Sequence, residues 1–144
     1  MMAAVEALYR VHWGEPTRYS HFEVGDLAIE VLKWDVSANP EGVALYATVG
    51  ASSWPLLERH SSHRVEFFVG MLPGQDAIVG PLAALGLYSV RERVALDHGH
   101  SVPAGRPLWP GSPMERFLVM RPRSDLMPPL EAQVAVHDWR SEKV

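Results

Sequence analysis

Two pairs of histidines are the residues of this chain best suited to chemistry. His98 and His100 are separated by one glycine, and His60 and His63 lie three positions apart. Histidine is the commonest metal ligand, but a catalytic zinc site typically takes about three ligands from the protein. The four imidazoles leave two hypotheses open: a composite site of a metal-dependent enzyme, or a constrained loop whose histidines bond to the backbone.

The usual signatures of other catalytic classes are missing from the sequence. It contains no cysteine, so neither a thiolate nucleophile nor a disulfide is available. Lys33 and Lys143 are the only lysines, and neither belongs to a phosphate-binding loop. The serines of residues 50–55, GASSWP, lack the second glycine of a nucleophile elbow. We therefore expect a protein that is not an enzyme and binds no cofactor.

The composition is that of one folded domain covering residues 1–144. Hydrophobic residues make up 47% and charged residues 21% of the chain, which is ordinary globular usage. The net charge of -4 opposes nucleic-acid binding, which requires a clustered positive surface. No apolar stretch reaches the roughly 20 residues that cross a bilayer, and the first residues do not resemble a secretory signal. We expect a cytoplasmic protein without nucleic-acid or membrane partners.

Periodicity predicts a helix followed by a hairpin in the first third of the chain. Apolar positions at helical spacing indicate an amphipathic helix over residues 2–12, after which a polar connection leads to residue 27. Residues 27–36 and 43–50 are rich in β-branched and aromatic types and predict two strands. Asn39-Pro40-Glu41-Gly42 has the composition of a type I turn, which joins them as an antiparallel hairpin.

The remaining two thirds predict a third strand, a helix and two late strands. Residues 63–72 form the third strand, and the helix starts near Gly80 so that Pro81 lies in its first turn. Residues 115–122 and 131–139 predict further strands, whereas the prolines and glycines of residues 101–113 exclude a long regular element. The fold class is therefore α+β: a mixed, mostly antiparallel sheet of about five or more strands with roughly two or three helices packed on it.

Three tryptophans are candidates for a partner interface. Trp54, Trp109 and Trp139 stand beside prolines or polar residues and not inside apolar runs. Partly exposed tryptophans are favoured anchors of protein interfaces. Equally open is a role for each at the edge of the core, with its indole NH bonded.

Three segments, in order, resemble the Suppressor of fused family. Residues 44–56, ALYATVGASSWPL, are similar to the family's strand that runs into a Gly-Met/Ala-Ser turn. Residues 63–73, HRVEFFVGMLP, are similar to its Arg-x-Glu-apolar strand closed by proline. Residues 96–122, LDHGHSVPAGRPLWPGSPMERFLVMRP, are similar to its Gly-His-Thr-Ile, Gly-x-Pro and Gly-Ser segment, with Ser101-Val102 in place of Thr-Ile. The chain looks like a small stand-alone bacterial member of that family.

The resemblance implies a binding protein and an architectural role for the third segment. Small bacterial members resemble immunity partners of toxins, which implies a non-enzymatic domain that binds and neutralises a cognate toxin. Animal members clamp a transcription-factor peptide between two domains, of which this chain matches only the first. A scaffold or oligomerisation module remains a further alternative, and the oligomeric state stays open. The residues that would fix the path of the loop are Gly99, His100, Pro103, Gly105, Pro107, Gly111 and Ser112.

Overall fold

The computed structural model describes residues 2–35, 42–51, 66–92, 96 and 99–120, and these form an α+β domain. Within these ranges two α-helices accompany antiparallel strands, so the predicted fold class is confirmed. The elements in chain order are α1 (Met2–Trp13), β1 (Arg18–Val24), β2 (Leu27–Trp34), β3 (Ala44–Val49), β4 (Phe68–Met71), a short 3-10 helix (Asp76–Ile78), α2 (Val79–Arg91), β5 (Ser101–Pro103) and β6 (Arg116–Leu118).

The six strands found in the described residues divide between two sheets. β1 to β4 form one sheet in chain order, and every neighbouring pair in it is antiparallel. β5 and β6 pair only with each other in the part of the chain that is described. The predicted hairpin is confirmed by the β2–β3 register, which pairs Trp34 with Leu45. Residues 39–41 of its predicted turn lie outside the described residues.

Strand β1 corrects the sequence-based prediction of a polar connection before residue 27. It pairs with β2 in an unbroken register from Arg18↔Lys33 to Val24↔Leu27. Most of its residues are exposed, because it is an edge strand, and its polar composition concealed it. A signal was nevertheless present: Gly25-Asp26 forms a two-residue loop, whose composition is typical of a hairpin.

Strand β3 is buried on both faces. All six of its residues are buried, and their side chains alternate between two apolar clusters. Ala44 and Tyr46 belong to the cluster that contains α2, whereas Leu45, Ala47 and Val49 belong to the cluster that contains α1. The four-stranded sheet therefore lies between the two helices, and the β5–β6 hairpin packs on the α2 side.

Four aromatic rings fix α1 on its side of the sheet. Tyr9, Trp13, Trp34 and Phe68 contact one another with ring centroids 5.0 to 5.6 Å apart. The Tyr9 hydroxyl donates to the Thr48 carbonyl at 2.8 Å, and burial raises its pKa, as does the charge of a nearby glutamate. Because these rings bury large apolar areas while their polar ends stay bonded, α1 is held in one orientation.

The other predicted elements occur close to their predicted positions wherever the structure describes them. The first helix ends at Trp13, one residue later than predicted, and α2 begins at Val79, which puts Pro81 in its first turn as expected. Of the predicted third strand, Phe68–Met71 is a strand, and residues 63–65 are outside the described part. The predicted strand 115–122 is represented by β6, and residues 131–139 are not described.

Gly50 gives a direct test of the packing where β3 ends. Its φ is +130°, and a Cβ there would lie 2.9 Å from the Ala28 carbonyl oxygen and 3.2 Å from Ile29 Cα. We expect Gly50→Ala to lower the free energy of unfolding by about 2 kcal/mol, because neither backbone atom can move aside easily. Thermal unfolding should show a midpoint roughly 4–8 °C lower.

Gly80→Ala is the matched control for that substitution. Gly80 lies in α2, and a Cβ there has no neighbour within 4 Å. Alanine should leave stability unchanged or raise it by up to about 1 kcal/mol, since it favours helix. An equal midpoint for Gly50→Ala and the wild type would contradict the close packing of β3 against β2.

Candidate functional site

Of the four histidines considered as metal ligands, only His100 lies in the described residues. His100 is exposed and immediately precedes β5, and its backbone carbonyl accepts a hydrogen bond from the Val119 amide at 2.8 Å. His60, His63 and His98 lie outside the described residues. Across residues 2–35, 42–51, 66–92, 96 and 99–120, no three His, Asp or Glu side chains form a group that could hold a metal ion.

Residues 99–120 of the third family-like segment fold as one long hairpin. Outside the paired strands β5 and β6, backbone hydrogen bonds extend the pairing in both directions, from Gly99 N to Val119 O at 2.7 Å and from Ala104 N to Glu115 O at 2.8 Å. Leu108 N donates to the carbonyl of Met114 nearer the tip. The seven residues that the resemblance marks as architectural all lie on this hairpin, so the fold brings them into one substructure.

The tip of the hairpin is anchored in the core. Leu108 is buried in the α2-side cluster, and Trp109 is half-buried against the same cluster. Ser112 is buried as well: its amide donates to the Trp109 carbonyl, and its hydroxyl accepts from the Met114 amide at 3.0 Å. Trp109 is thus the one predicted interface tryptophan that is described, and it covers the core in part. Trp54 and Trp139 lie outside the described residues.

One face of the hairpin exposes a row of partly apolar side chains to solvent. Val102 is buried and Phe117 is half-buried against the core, whereas the alternate residues of β6 point outward. We call Met114, Arg116, Leu118 and Met120 the outer row; its three apolar members are 52%, 63% and 61% exposed, respectively. Arg116 Nε donates to the Ser101 hydroxyl at 2.8 Å, which ties the row across the two strands.

Glu66 forms a polar clamp that sequence analysis did not single out. One carboxylate oxygen accepts from the Thr48 hydroxyl at 2.7 Å and from the Ala51 amide at 3.2 Å, and the other accepts from the Gly50 amide at 2.9 Å. Thr48 in turn accepts from the Phe67 amide. The clamp joins the first two family-like segments, because the glutamate of Arg-x-Glu binds the turn that follows β3. Only the resemblance pointed to these residues.

A second polar cluster lies where the 3-10 helix meets the sheet. Lys33 Nζ and the Tyr46 hydroxyl both donate to Asp76 Oδ1, at 2.7 and 2.6 Å, and an Arg18 guanidinium nitrogen lies 3.6 Å from Oδ2. The register places Arg18, Lys33 and Tyr46 side by side on β1, β2 and β3. Asp76 is 43 positions from Lys33 along the chain, so no local sequence signal predicts this contact.

Ion pairing sets the protonation of the Asp76 cluster. Hydrogen bonds from Lys33 and then Tyr46 lower the pKa of the Asp76 carboxyl. Burial, and then the bond to Asp76, raises the pKa of Tyr46. An aspartate held in this way stays ionised and a tyrosine held in this way stays protonated. This arrangement suits a tie between helix and sheet better than the transfer of a proton to a substrate.

Comparison with known proteins adds no relative to this picture. Neither a protein-family model nor a curated protein nor a solved structure matches the chain. Among the helices in the described ranges, none is long and apolar enough to pass through a bilayer. The geometry above defines an α+β domain whose two polar clusters are occupied by its own groups and whose β5–β6 hairpin offers an exposed, partly apolar face.

The Asp76 cluster generates a prediction about pH. A lowered folded-state pKa contributes stability above the unfolded-state pKa near about 4, and this stability is lost as the pH falls through the folded value. Asp76→Asn should therefore be less stable than the wild type near neutral pH. The difference should stay below about 1 kcal/mol, because the Asp76 side chain is 47% exposed, and should shrink below about pH 4.

Urea unfolding at a series of pH values measures that difference. Lys33→Met removes the nearest cation, so in this background the substitution Asp76→Asn should cost less near neutral pH than it does in the wild type. A difference between wild type and Asp76→Asn that persists unchanged under acid conditions would contradict the assigned ion pair.

Gly99 generates a prediction about the base of the hairpin. Its φ is +91°, and its amide donates to the Val119 carbonyl. Gly99→Val should lower the free energy of unfolding by about 1–3 kcal/mol, because a β-branched residue strongly disfavours this conformation. Gly99→Asn should cost less, since asparagine enters the left-handed region more readily. Thermal melting of both variants tests this, and an unchanged midpoint for Gly99→Val would refute the architectural role.

Proposed function

We propose that this chain is a non-enzymatic protein-binding domain of the Suppressor of fused type, which neutralises a cognate toxin protein. The single observation that carries the binding role is the outer row of the hairpin. Its apolar side chains face solvent on a substructure whose opposite face and tip are packed in the core. The toxin assignment is supported by the sequence resemblance of residues 44–56, 63–73 and 96–122 to that family.

The composition of the outer row fits a contact surface. Methionine adapts to irregular partner surfaces, and both methionine and arginine are enriched at interfaces. Leu118 and Met120 stand two positions apart on the same strand face, so a partner can bury both together. The backbone that carries them is already hydrogen-bonded, which reduces the entropy lost when a partner binds.

The charge of the chain favours a basic partner. A net charge of -4 attracts a positively charged toxin domain and raises the association rate through complementary potentials. A toxin that acts on nucleic acid carries the positive surface that phosphate binding requires. We therefore propose as the partner a basic, nuclease-like domain, which the net charge of the whole chain attracts and which buries the apolar side chains of the outer row.

A metal-dependent enzyme built on the histidines is the alternative that a direct measurement separates from binding. Metal analysis of protein purified without a histidine tag is the decisive experiment. A stoichiometric transition metal that is lost in His100→Ala would favour the enzyme. Protein without bound metal, in both wild type and variant, would favour binding.

The binding role predicts the effect of a paired substitution in the outer row. Leu118→Ser with Met120→Ser should weaken binding to the proposed cognate toxin, sought as a basic protein encoded by a neighbouring gene, by roughly 10- to 100-fold, the effect of removing central apolar contacts. Calorimetric titration of the purified partners measures the affinity. Growth of cells that produce the toxin together with each variant measures protection.

Val11→Ser is the matched control for this experiment. Val11 is 77% exposed, but it lies on α1 and so on the other side of the sheet. This control should bind and protect as well as the wild type does. Full protection by the double variant would remove the outer row from the interface, and an absence of binding by the wild type would overturn the proposed partner.

A further inference from the structure

The outer edge of β1 presents an open row of backbone hydrogen-bonding groups. A two-residue loop closes on a hydrogen-bonded pair, here Val24 and Leu27, and bonding then alternates along the strand. The amides and carbonyls of Tyr19, His21 and Glu23 consequently point away from β2. None of these groups has a hydrogen-bond partner within the described residues.

This edge lacks several of the devices that normally prevent strands from pairing. Edge strands are usually protected by shortness, bulges, prolines or lysines. β1 has seven residues, a register without a bulge, and neither proline nor lysine. β4, at the opposite edge, has only four residues and is followed closely by Pro73-Gly74. Of the two edges of the four-stranded sheet, β1 is therefore the one built to accept a strand.

We propose that the occupant of this edge is β1 of a second copy of the chain. The two strands run antiparallel about a two-fold axis at His21, and two four-stranded sheets become one sheet of twice the width. In this register Tyr19 lies opposite Glu23 of the second copy, and Ser20 lies opposite Phe22 of the second copy. A two-fold contact is self-complementary, so each outward amide meets the carbonyl it needs.

The charges along β1 favour the antiparallel arrangement. The strand begins with the cation Arg18 and carries Glu23 just before its last residue, and Asp26 follows in the turn. Antiparallel pairing places Arg18 of each copy opposite Val24 of the other, next to the turn that carries Asp26. Parallel pairing would instead place like charges together.

Repulsion across the axis is weak in this register. The two copies of Glu23 lie about 14 Å apart, at roughly 3.4 Å per residue along the strands, which exceeds the Debye length of about 8–10 Å. Each His21 already contacts carboxylates of its own chain, Glu23 at 3.0 Å and Glu30 at 3.7 Å. The two imidazoles at the axis therefore remain next to compensating negative charge.

A single introduced cysteine tests the register. The chain has no cysteine of its own, so His21→Cys places one thiol on each side of the axis. Directly opposed residues of an antiparallel pair stand about 4.5–5.5 Å apart between Cα atoms, a separation that a disulfide spans. Under mild oxidation His21→Cys should form a covalent dimer at least about tenfold faster than Asp26→Cys, whose two thiols stand far from the axis.

The unmodified protein and a proline variant complete the test. Light scattering over a range of concentrations should show the wild-type mass doubling. His21→Pro should remain a monomer with a melting temperature close to that of the wild type, because proline is tolerated where the amide of an edge strand faces solvent. A wild type that stays monomeric, equal crosslinking of both cysteine variants, or a monomer whose β1 edge accepts a strand from a different protein would each overturn the proposal.

Discussion

The burial of β3 on both faces is the constraint on which the rest of the described structure depends. A strand whose six residues are all buried needs a paired neighbour on each side and an apolar layer above and below. β2 and β4 meet the first requirement, and α1 and α2 meet the second. The Glu66 clamp then bonds the backbone where β3 leaves the sheet, so the chain departs from its most buried strand without losing its polar contacts.

The sequence predicted the elements whose apolar pattern is local and missed a polar edge strand and the hydrogen bonds between distant residues. α1, β2, β3 and α2 follow from periodicity and from Pro81. β1 escaped because an edge strand keeps few apolar residues, although the Gly25-Asp26 loop marked its end. The hydrogen bonds of Asp76 and Glu66 could not be predicted, since they join residues 15 to 43 positions apart whose proximity depends on the register of the sheet. The hairpin residues were identified through a family resemblance, and their exposure became visible only in three dimensions.

Among the described residues, the polar clusters bond to groups of the same chain, whereas apolar side chains are exposed to solvent. Asp76 and Glu66 are bonded by groups of their own chain and tie secondary-structure elements together. Large exposed apolar side chains lie instead in the outer row, on Met114, Leu118 and Met120, and on β1, on Tyr19 and Val24. We propose that a domain arranged in this way serves recognition, with self-association and partner binding on different parts of one scaffold.

The position of α1 affects how the chain folds during its synthesis on the ribosome. This helix emerges before every strand, yet its aromatic stripe packs on residues of β2, β3 and β4, which are synthesised later. A single amphipathic helix of 12 residues is marginal in water, so it gains stability only after residue 49 has appeared. The nascent chain must therefore keep Tyr9 and Trp13 unburied until the sheet is ready, and an early collapse of these rings on other segments is the misfolding route to which this topology is most exposed.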